Sequence, residues 1–276
     1  MRERSRSAGR GTLILLAFVL MGIFSPVENF LLYHPARDIN LTPAAYGVPF
    51  EEVRFRAGDD TRLHGWFVPP KRADGPVLLW AHGNAGNISH RSENVALILR
   101  ELGAGVFLFD YRGYGRSAGS PGEEGLYADG RAAYTWLKEK IPPRRIFLFG
   151  RSLGAAVMVK LAAEGAEARG LILESPFESL LAMGKAVFPF LPVTWLINQS
   201  FDTAALLPAA RLPVLILHGD RDEVVPFVQG MRLYQLALRP KRFFRIRGAG
   251  HNNTYIAGGP DYWAAWREFL ENPEGE

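Results

Sequence analysis

Residues Phe147–Gly154 read FLFGRSLG: an apolar run, then G-x-S-x-G, then a stretch of helical character. On a strand-to-helix turn of this kind the serine hydroxyl is held out at the end of the strand. Glycines on both sides remove side chains that would collide with the neighbouring strand and helix. The positive end of the following helix favours negative charge developing beside it. The chemistry suited to this arrangement is attack by Ser152 on an acyl carbon. The five-residue pattern alone is common by chance, and its weight comes from the strand before it and the helix after it.

A serine hydroxyl needs a base to take its proton. His251 is the best candidate, in Gly248-Ala249-Gly250-His251-Asn252, directly after the strand-like FFRIR. The base in turn needs an acid that fixes its tautomer and stabilises the imidazolium. The stretch LHGDRDEVVP after another apolar run offers Asp220, Asp222 and Glu223. Asp222 is favoured, with Asp220 next and otherwise a cap for the turn. The order Ser…Asp…His is the one such strand-turn-helix serines use.

Acyl transfer also needs donors for the oxyanion. The backbone N–H of Leu153, just after the nucleophile, is the first candidate. The second is the backbone N–H of Asn84, in the glycine-rich loop His82-Gly83-Asn84-Ala85-Gly86-Asn87. His82 reads as a residue that orients this loop. The stretch DYRGYGRS, Asp110–Ser117, follows another strand end, where its glycines and aromatics would line the site or brace the loop, and the structural reading is favoured.

These residues need a sheet to hold them. Candidate strands are Glu52–Arg56, Arg62–Val68, Val77–Ala81, Val106–Asp110, Arg145–Phe149, Leu171–Glu174, Val214–His218 and Phe243–Arg247. The middle runs (VLLWA, VFLFD, IFLFG, LILE, VLILH) are nearly all apolar, as in parallel strands buried on both faces. Helix-like stretches separate them at Ser89–Leu102, Gly122–Lys140, Ser152–Glu164, Val225–Leu238 and Pro260–Glu271. The first two strands flank the turn Gly58-Asp59-Asp60 and read as an antiparallel hairpin. The pattern predicts an α/β fold with a mostly parallel central sheet of about eight strands flanked by helices. Pro176–Leu212 is about three times a usual connection. Its Phe177, Leu180, Leu181, Met183, Phe188, Phe190, Leu191, Trp195 and Leu196 suggest a small helical lid over an apolar substrate site. The plainer alternative is a helix pair with its own core contacts.

Four motifs after four strand-like runs, in this order, resemble the α/β-hydrolase superfamily over nearly all of Tyr33 to Leu270. Within it the chain is similar to the membrane-anchored bud-emergence type. The segments that carry the resemblance are LLYHP, AHGNAGNISHR, DYRGYGRS, GRSLG, PVLILHGDRDEVVP and GAGHNNTY. The resemblance implies Ser152 as nucleophile, Asp222 as acid, His251 as base and a minimal lid at Pro176–Leu212. Eukaryotic relatives include enzymes that remove palmitate from proteins, and many bacterial members have no defined substrate. Arg151, between Gly150 and Ser152, is compatible with the pattern.

Several chemistries are set aside. The chain has no cysteine, hence no disulfide, thiolate metal site or cysteine nucleophile. Its six histidines, His34, His64, His82, His90, His218 and His251, form no H-E-x-x-H pattern. No phosphate-loop motif is present, no G-x-G-x-x-G opens the first helix, and a dehalogenase would carry a carboxylate in place of Ser152. The expected reaction calls for no cofactor and no metal. The net charge is +4, of which Arg2, Arg4, Arg6 and Arg10 against Glu3 supply +3, so the body carries only +1. No nucleic-acid partner is expected from so neutral a body.

The basic start is followed by Thr12–Phe24, TLILLAFVLMGIF. As a helix it would reach ~20 Å, short of a ~30 Å hydrocarbon core. Extension to Leu32 supplies the reach but takes in Pro26, Glu28 and Asn29. A cleaved signal, an uncleaved anchor and a buried helix compete. The anchor is favoured, because no small-x-small cleavage site follows. Residues 1–33 thus read as a basic N-terminus plus a membrane anchor (or signal), and 34–276 as the catalytic domain. The N-terminus would be cytoplasmic and the catalytic domain extracytoplasmic, periplasmic or secreted if cleaved.

The expected function is a serine hydrolase that cleaves carboxylic ester or thioester bonds through an acyl-enzyme. Its substrate would be a hydrophobic acyl compound near the membrane, small or lipid-like, or an acylated protein. A serine aminopeptidase or amidase with the same triad is the first alternative. It would need an acidic group near the lid to hold a free amine, where only Glu178 and Asp202 are placed. A non-catalytic, membrane-tethered binding protein is the second.

Overall fold

The computed structural model describes residues 29, 32–187 and 198–275. The run Thr12–Phe24 and the insertion residues Phe188, Phe190, Leu191, Trp195 and Leu196 lie outside them. In chain order the elements are β1 (Glu51–Arg56), β2 (Arg62–Val68), β3 (Val77–Ala81), α1 (Ser92–Leu102), β4 (Gly105–Asp110), α2 (Glu123–Lys138), β5 (Ile146–Arg151) and α3 (Leu153–Ala163). They continue with β6 (Gly170–Glu174), α4 (Leu180–Val187), α5 (Thr203–Leu206), β7 (Val214–Gly219), α6 (Phe227–Leu236), β8 (Lys241–Ile246) and α7 (Thr254–Glu271).

The strands form one eight-stranded sheet in the order β8-β7-β6-β5-β3-β4-β2-β1. β2 runs antiparallel to both neighbours, β1 and β4, and all other pairs are parallel. The apolar runs are strands because both faces of the sheet are covered. Along β3, Val77, Leu79 and Ala81 enter one core, while Leu78 and Trp80 enter the other. β5 splits the same way, Ile146 and Leu148 against Phe147 and Phe149. Helices α2, α3 and α6 cover the first face, α1 and α7 the second.

All eight expected strands form, but some boundaries move. β8 starts two residues earlier than read, because its ladder with β7 runs from Lys241–Val214 to Ile246–Gly219. Arg247 falls in the turn beside Gly248, at φ 71°. The first helix begins at Ser92, after a 3-10 turn at Ile88–Arg91. The last begins at Thr254 instead of Pro260. Pro260 marks the start of its second segment, where a fixed φ and a missing N–H cost little, and the chain bends at Gly259 (φ 52°, ψ −140°).

The described part of the insertion packs on the body. Phe177, Phe201, Leu207 and Ala210 are buried in the first core, with Leu180 and Met183 partly buried against it. Tyr33, assigned from sequence to the N-terminal segment, is also buried there, so the body begins before residue 34. No helix among the described residues is long and apolar enough to cross a membrane, and the expected anchor falls outside those residues. The parallel strands β3, β5, β7 and β8 all release their chains at one edge of the sheet. The loops carrying Asn84, Ser152, Asp222 and His251 therefore gather there.

Candidate active site

Ser152 stands between the last residue of β5 and the first of α3, at φ 52° and ψ −117°. This left-handed backbone costs a non-glycine residue about 1–3 kcal/mol and persists only where its surroundings enforce it. The Ser152 N–H donates to the Glu174 carbonyl of β6 at 2.9 Å. The flanking glycines are required by close approach: a Cβ on Gly154 would lie 2.0 Å from the Ala81 carbonyl oxygen, and one on Gly150 2.3 Å from that of Gly154. Gly83 of the His82–Asn87 loop lies against the serine, where a Cβ would come within 3.6 Å of Ser152 Cβ.

His251 lies in the loop between β8 and α7 and is buried. Its Nδ1 is 2.8 Å from Asp222 Oδ2 and 3.1 Å from Oδ1. An ionised carboxylate there keeps the ring proton on Nδ1 and leaves the Nε2 lone pair free to accept another. Asp222 Oδ1 also accepts the Val224 and Val225 N–H groups at 2.9 and 2.8 Å. His218 Nε2, which donates to the Val225 carbonyl at 3.0 Å, is 3.4 Å from Asp222 Oδ2. Burial raises the Asp222 pKa, but hydrogen bonds from His218 and His251, with His251's charge, outweigh it. The carboxyl is thereby held well below the usual range.

The three acids of this loop have separate tasks. Asp222 meets the His251 ring. Glu223 Oε2 accepts the His251 backbone N–H at 3.0 Å. Asp220 binds the Gly248 N–H at 2.7 Å and Arg245 Nε at 2.9 Å, which fixes the turn that leads to His251.

Arg151, inside the serine motif, completes the frame. Its Nη2 donates to the His251 carbonyl at 2.6 Å and to Asn252 Oδ1 at 3.2 Å. Its Nε is 3.0 Å from Glu174 Oε1. Glu174 is buried and also accepts from Thr254 Oγ1 (2.9 Å) and Tyr262 OH (2.6 Å). The residue before Ser152 thus holds the backbone of His251, the residue read as its base. Sequence reasoning assigned no such task to Arg151, Glu174, Glu223 or His218. One signal was present: a guanidinium ending a strand buried on both faces must find a carboxylate. Removing one partner of such a buried pair costs about 3–5 kcal/mol, because the other charge is left uncompensated. Arg151→Met should therefore lower the unfolding free energy by about that amount. Adding Glu174→Gln should recover part of it, as read by denaturant titration.

The His82–Asn87 loop is braced as the sequence suggested. His82 is fully buried, and desolvation, only partly offset by Asp110, lowers its pKa to about 4, so the ring is neutral. Its Nδ1 meets the Gly83 carbonyl at 2.7 Å, and its ring packs against Tyr111 and Tyr114. Tyr111 OH donates to the His82 carbonyl at 2.8 Å and Tyr114 OH to Asn84 Oδ1 at 2.9 Å. The DYRGYGRS segment is thus a brace for this loop. Leu153 is the first residue of α3, where a backbone N–H has no intrahelical acceptor. Among the described residues no group of three or more His, Asp or Glu side chains is arranged to hold a metal ion.

Residues 73–206 match a family model described as serine aminopeptidase, S33. The chain is 33% identical over 281 residues to the α/β hydrolase domain-containing protein WAV2 of Arabidopsis thaliana, covering 95% of this chain and 90% of that one. It is 31% identical over 279 residues to protein bem46 of Schizosaccharomyces pombe, covering 93% and 90%. Among solved structures it resembles a Pyrococcus furiosus esterase, Pf2001, with a TM-score of 0.72 and 23% identity, covering 88% of this chain and 98% of that one.

Proposed function

We propose, for a chain that belongs to the α/β-hydrolase superfamily and within it to the bud-emergence type, that it is a serine hydrolase of carboxylic ester or thioester bonds. The observation that carries this reading is the 2.8 Å contact of His251 Nδ1 with the buried, ionised carboxylate of Asp222, in a chain whose Ser152 has strained backbone and whose next residue back, Arg151, bonds the His251 carbonyl. Ser152 Oγ attacks the acyl carbon while His251 Nε2 takes its proton. The N–H groups of Leu153 and Asn84 stabilise the oxyanion as the tetrahedral intermediate forms. His251 then protonates the leaving group, the acyl group stays on Ser152, and a water activated by His251 releases the acid.

The aminopeptidase reading has support from the family model's description, but the carboxylates it would need are engaged. Glu178 pairs with Arg232 at 3.1 Å, and Asp202 accepts the Ala205 N–H at 3.0 Å as a helix cap. An ester or thioester needs no group to hold a free amine.

A hydrophobic acyl chain delivered from a membrane fits two further features. A cleft of about 360 Å³ between α4 and α6 has Leu181, Ala182, Ala186, Pro226 and Val228 on its apolar side and Glu178, Lys185, Gln229 and Arg232 among its polar walls. Pro226 directly follows Val225, whose N–H binds Asp222. The eight residues from Phe24, the end of the apolar run, to Leu32 span at most about 29 Å. If the run enters a bilayer, the body stays within that reach of it.

A series of butyryl, octanoyl and dodecanoyl esters with one leaving group, and the matched octanoyl amide, tests the reading. Each buried methylene is worth up to about 0.8 kcal/mol. The octanoyl ester should exceed the butyryl ester in kcat/KM by about tenfold or more, with the amide far slower. A chain that prefers the butyryl ester, or turns over the amide faster, would overturn the substrate assignment.

A further inference from the structure

The segment Leu32–Asp38, which includes most of LLYHP, lies as a strap across the loop that carries Asn84. His34 and Pro35 pair in parallel with Ala85 and Gly86. The Ala36 N–H donates to the Gly86 carbonyl at 3.0 Å, and the Ala36 carbonyl accepts the Gly115 N–H at 2.8 Å. Asn87 Nδ2 donates to the carbonyls of Ala36 (3.1 Å) and Asp38 (2.7 Å). Asn84 Nδ2 donates to the Leu32 carbonyl, while its Oδ1 accepts from Tyr114 OH. Arg37 Nη1 reaches the Ser117 carbonyl at 2.7 Å. At the other end Tyr33 is buried in the core, and its hydroxyl donates to Gln199 Oε1 in the insertion.

These contacts have a common effect on one residue. The loop has Gly83 before Asn84 and Gly86, at φ 83°, after it, so left to itself it would sample many backbone directions. An oxyanion donor is useful only where its direction is fixed before the charge develops. The strap fixes it on both sides: through the side chain of Asn84 itself and through the pairing of Ala85 and Gly86.

We infer that Leu32–Asp38 is a positioning element of the reaction, which holds the loop so that the Asn84 N–H points at the developing oxyanion. This rests on the serine-hydrolase reading of Asn84. The strap continues directly into the residues that lead back to the apolar N-terminal run.

Full-length, detergent-solubilised protein tests this with Asn87→Asp. The aspartate keeps the oxygen that accepts the Ser89 N–H at 2.9 Å but loses both donations to the strap. It should lower kcat on a soluble short-chain ester by about 10-fold to 100-fold, the range of misplaced catalytic groups, with KM within about twofold. The rate of fluorophosphonate labelling should fall in parallel, since it reads the serine and oxyanion site without deacylation. Arg37→Met, at an exposed position, releases the strap from Ser117 without touching the core and should give a smaller fall in the same direction. Hydrogen exchange at Ala36 and Gly115 reports the unlatching itself. The inference is overturned if exchange shows the strap released while kcat and labelling stay within about twofold of the parent. It is equally overturned if the loss of kcat tracks only the fraction of unfolded protein. A parent chain with no turnover at all, in the same assay, would instead remove the hydrolase reading on which the inference rests.

Discussion

Ser152→Ala is expected to lower kcat on a short-chain ester by on the order of 10⁵-fold to 10⁶-fold, the loss seen when the nucleophile of such a unit is removed. What remains would come from binding and the oxyanion donors. The substitution removes one oxygen from a half-buried residue. The backbone at φ 52° is already enforced by Gly150, Gly154 and the bond to Glu174. The thermal midpoint should therefore change little while activity collapses. Steady-state kinetics beside a melting curve checks both halves. A variant that keeps more than about a hundredth of parental kcat would remove Ser152 from the role of nucleophile.

Asp222→Asn is expected to cost about 10⁴-fold in kcat for a different reason. An asparagine can keep Oδ1 under the Val224 and Val225 N–H groups, so the loop retains its shape. Its amide nitrogen then takes the place of Oδ2, 2.8 Å from His251 Nδ1. A donor at that position forces Nδ1 to accept, which moves the ring proton to Nε2 and leaves no base for Ser152. The same carboxyl carries a pH signature. Its folded pKa is depressed, so the ionised form contributes stability above the ordinary carboxylate value of about 4. That contribution is lost as pH falls through the folded value. Asp222→Asn should thus be less stable than the parent at neutral pH, and the difference should shrink on acidification. A difference that grows in acid would contradict the assignment.

The placement of Asn84, Ser152, Asp222 and His251 was legible because each follows a strand that its apolar run announces. VLLWA, IFLFG and VLILH suit strands buried on both faces, and the turns after them carry Asn84, Ser152 and Asp222. The supporting shell was not legible, because its contacts join residues far apart in the chain. Arg151 meets His251 across 100 positions and Glu174 meets Tyr262 across 88. The strap meets its loop across about 50. Neither periodicity nor local spacing encodes such pairs. The acids Asp220, Asp222 and Glu223 lie within four residues, and composition could rank them but not divide their work. Side-chain direction does that, sending Asp222 to the ring, Glu223 to the backbone N–H and Asp220 to Gly248. The last helix illustrates the limit of breakers as signals. Pro260 marked a start, yet one further helical turn precedes it across the bend at Gly259.

The central claim is that Ser152 is an activated nucleophile. It is tested most directly by treating the full-length protein with a fluorophosphonate and locating the adduct by peptide mass spectrometry. A single phosphonate on Ser152, absent in His251→Ala and in protein unfolded before treatment, is the result predicted. Folded protein that stays unmodified, or carries the adduct on another residue while Ser152 is untouched, would contradict it.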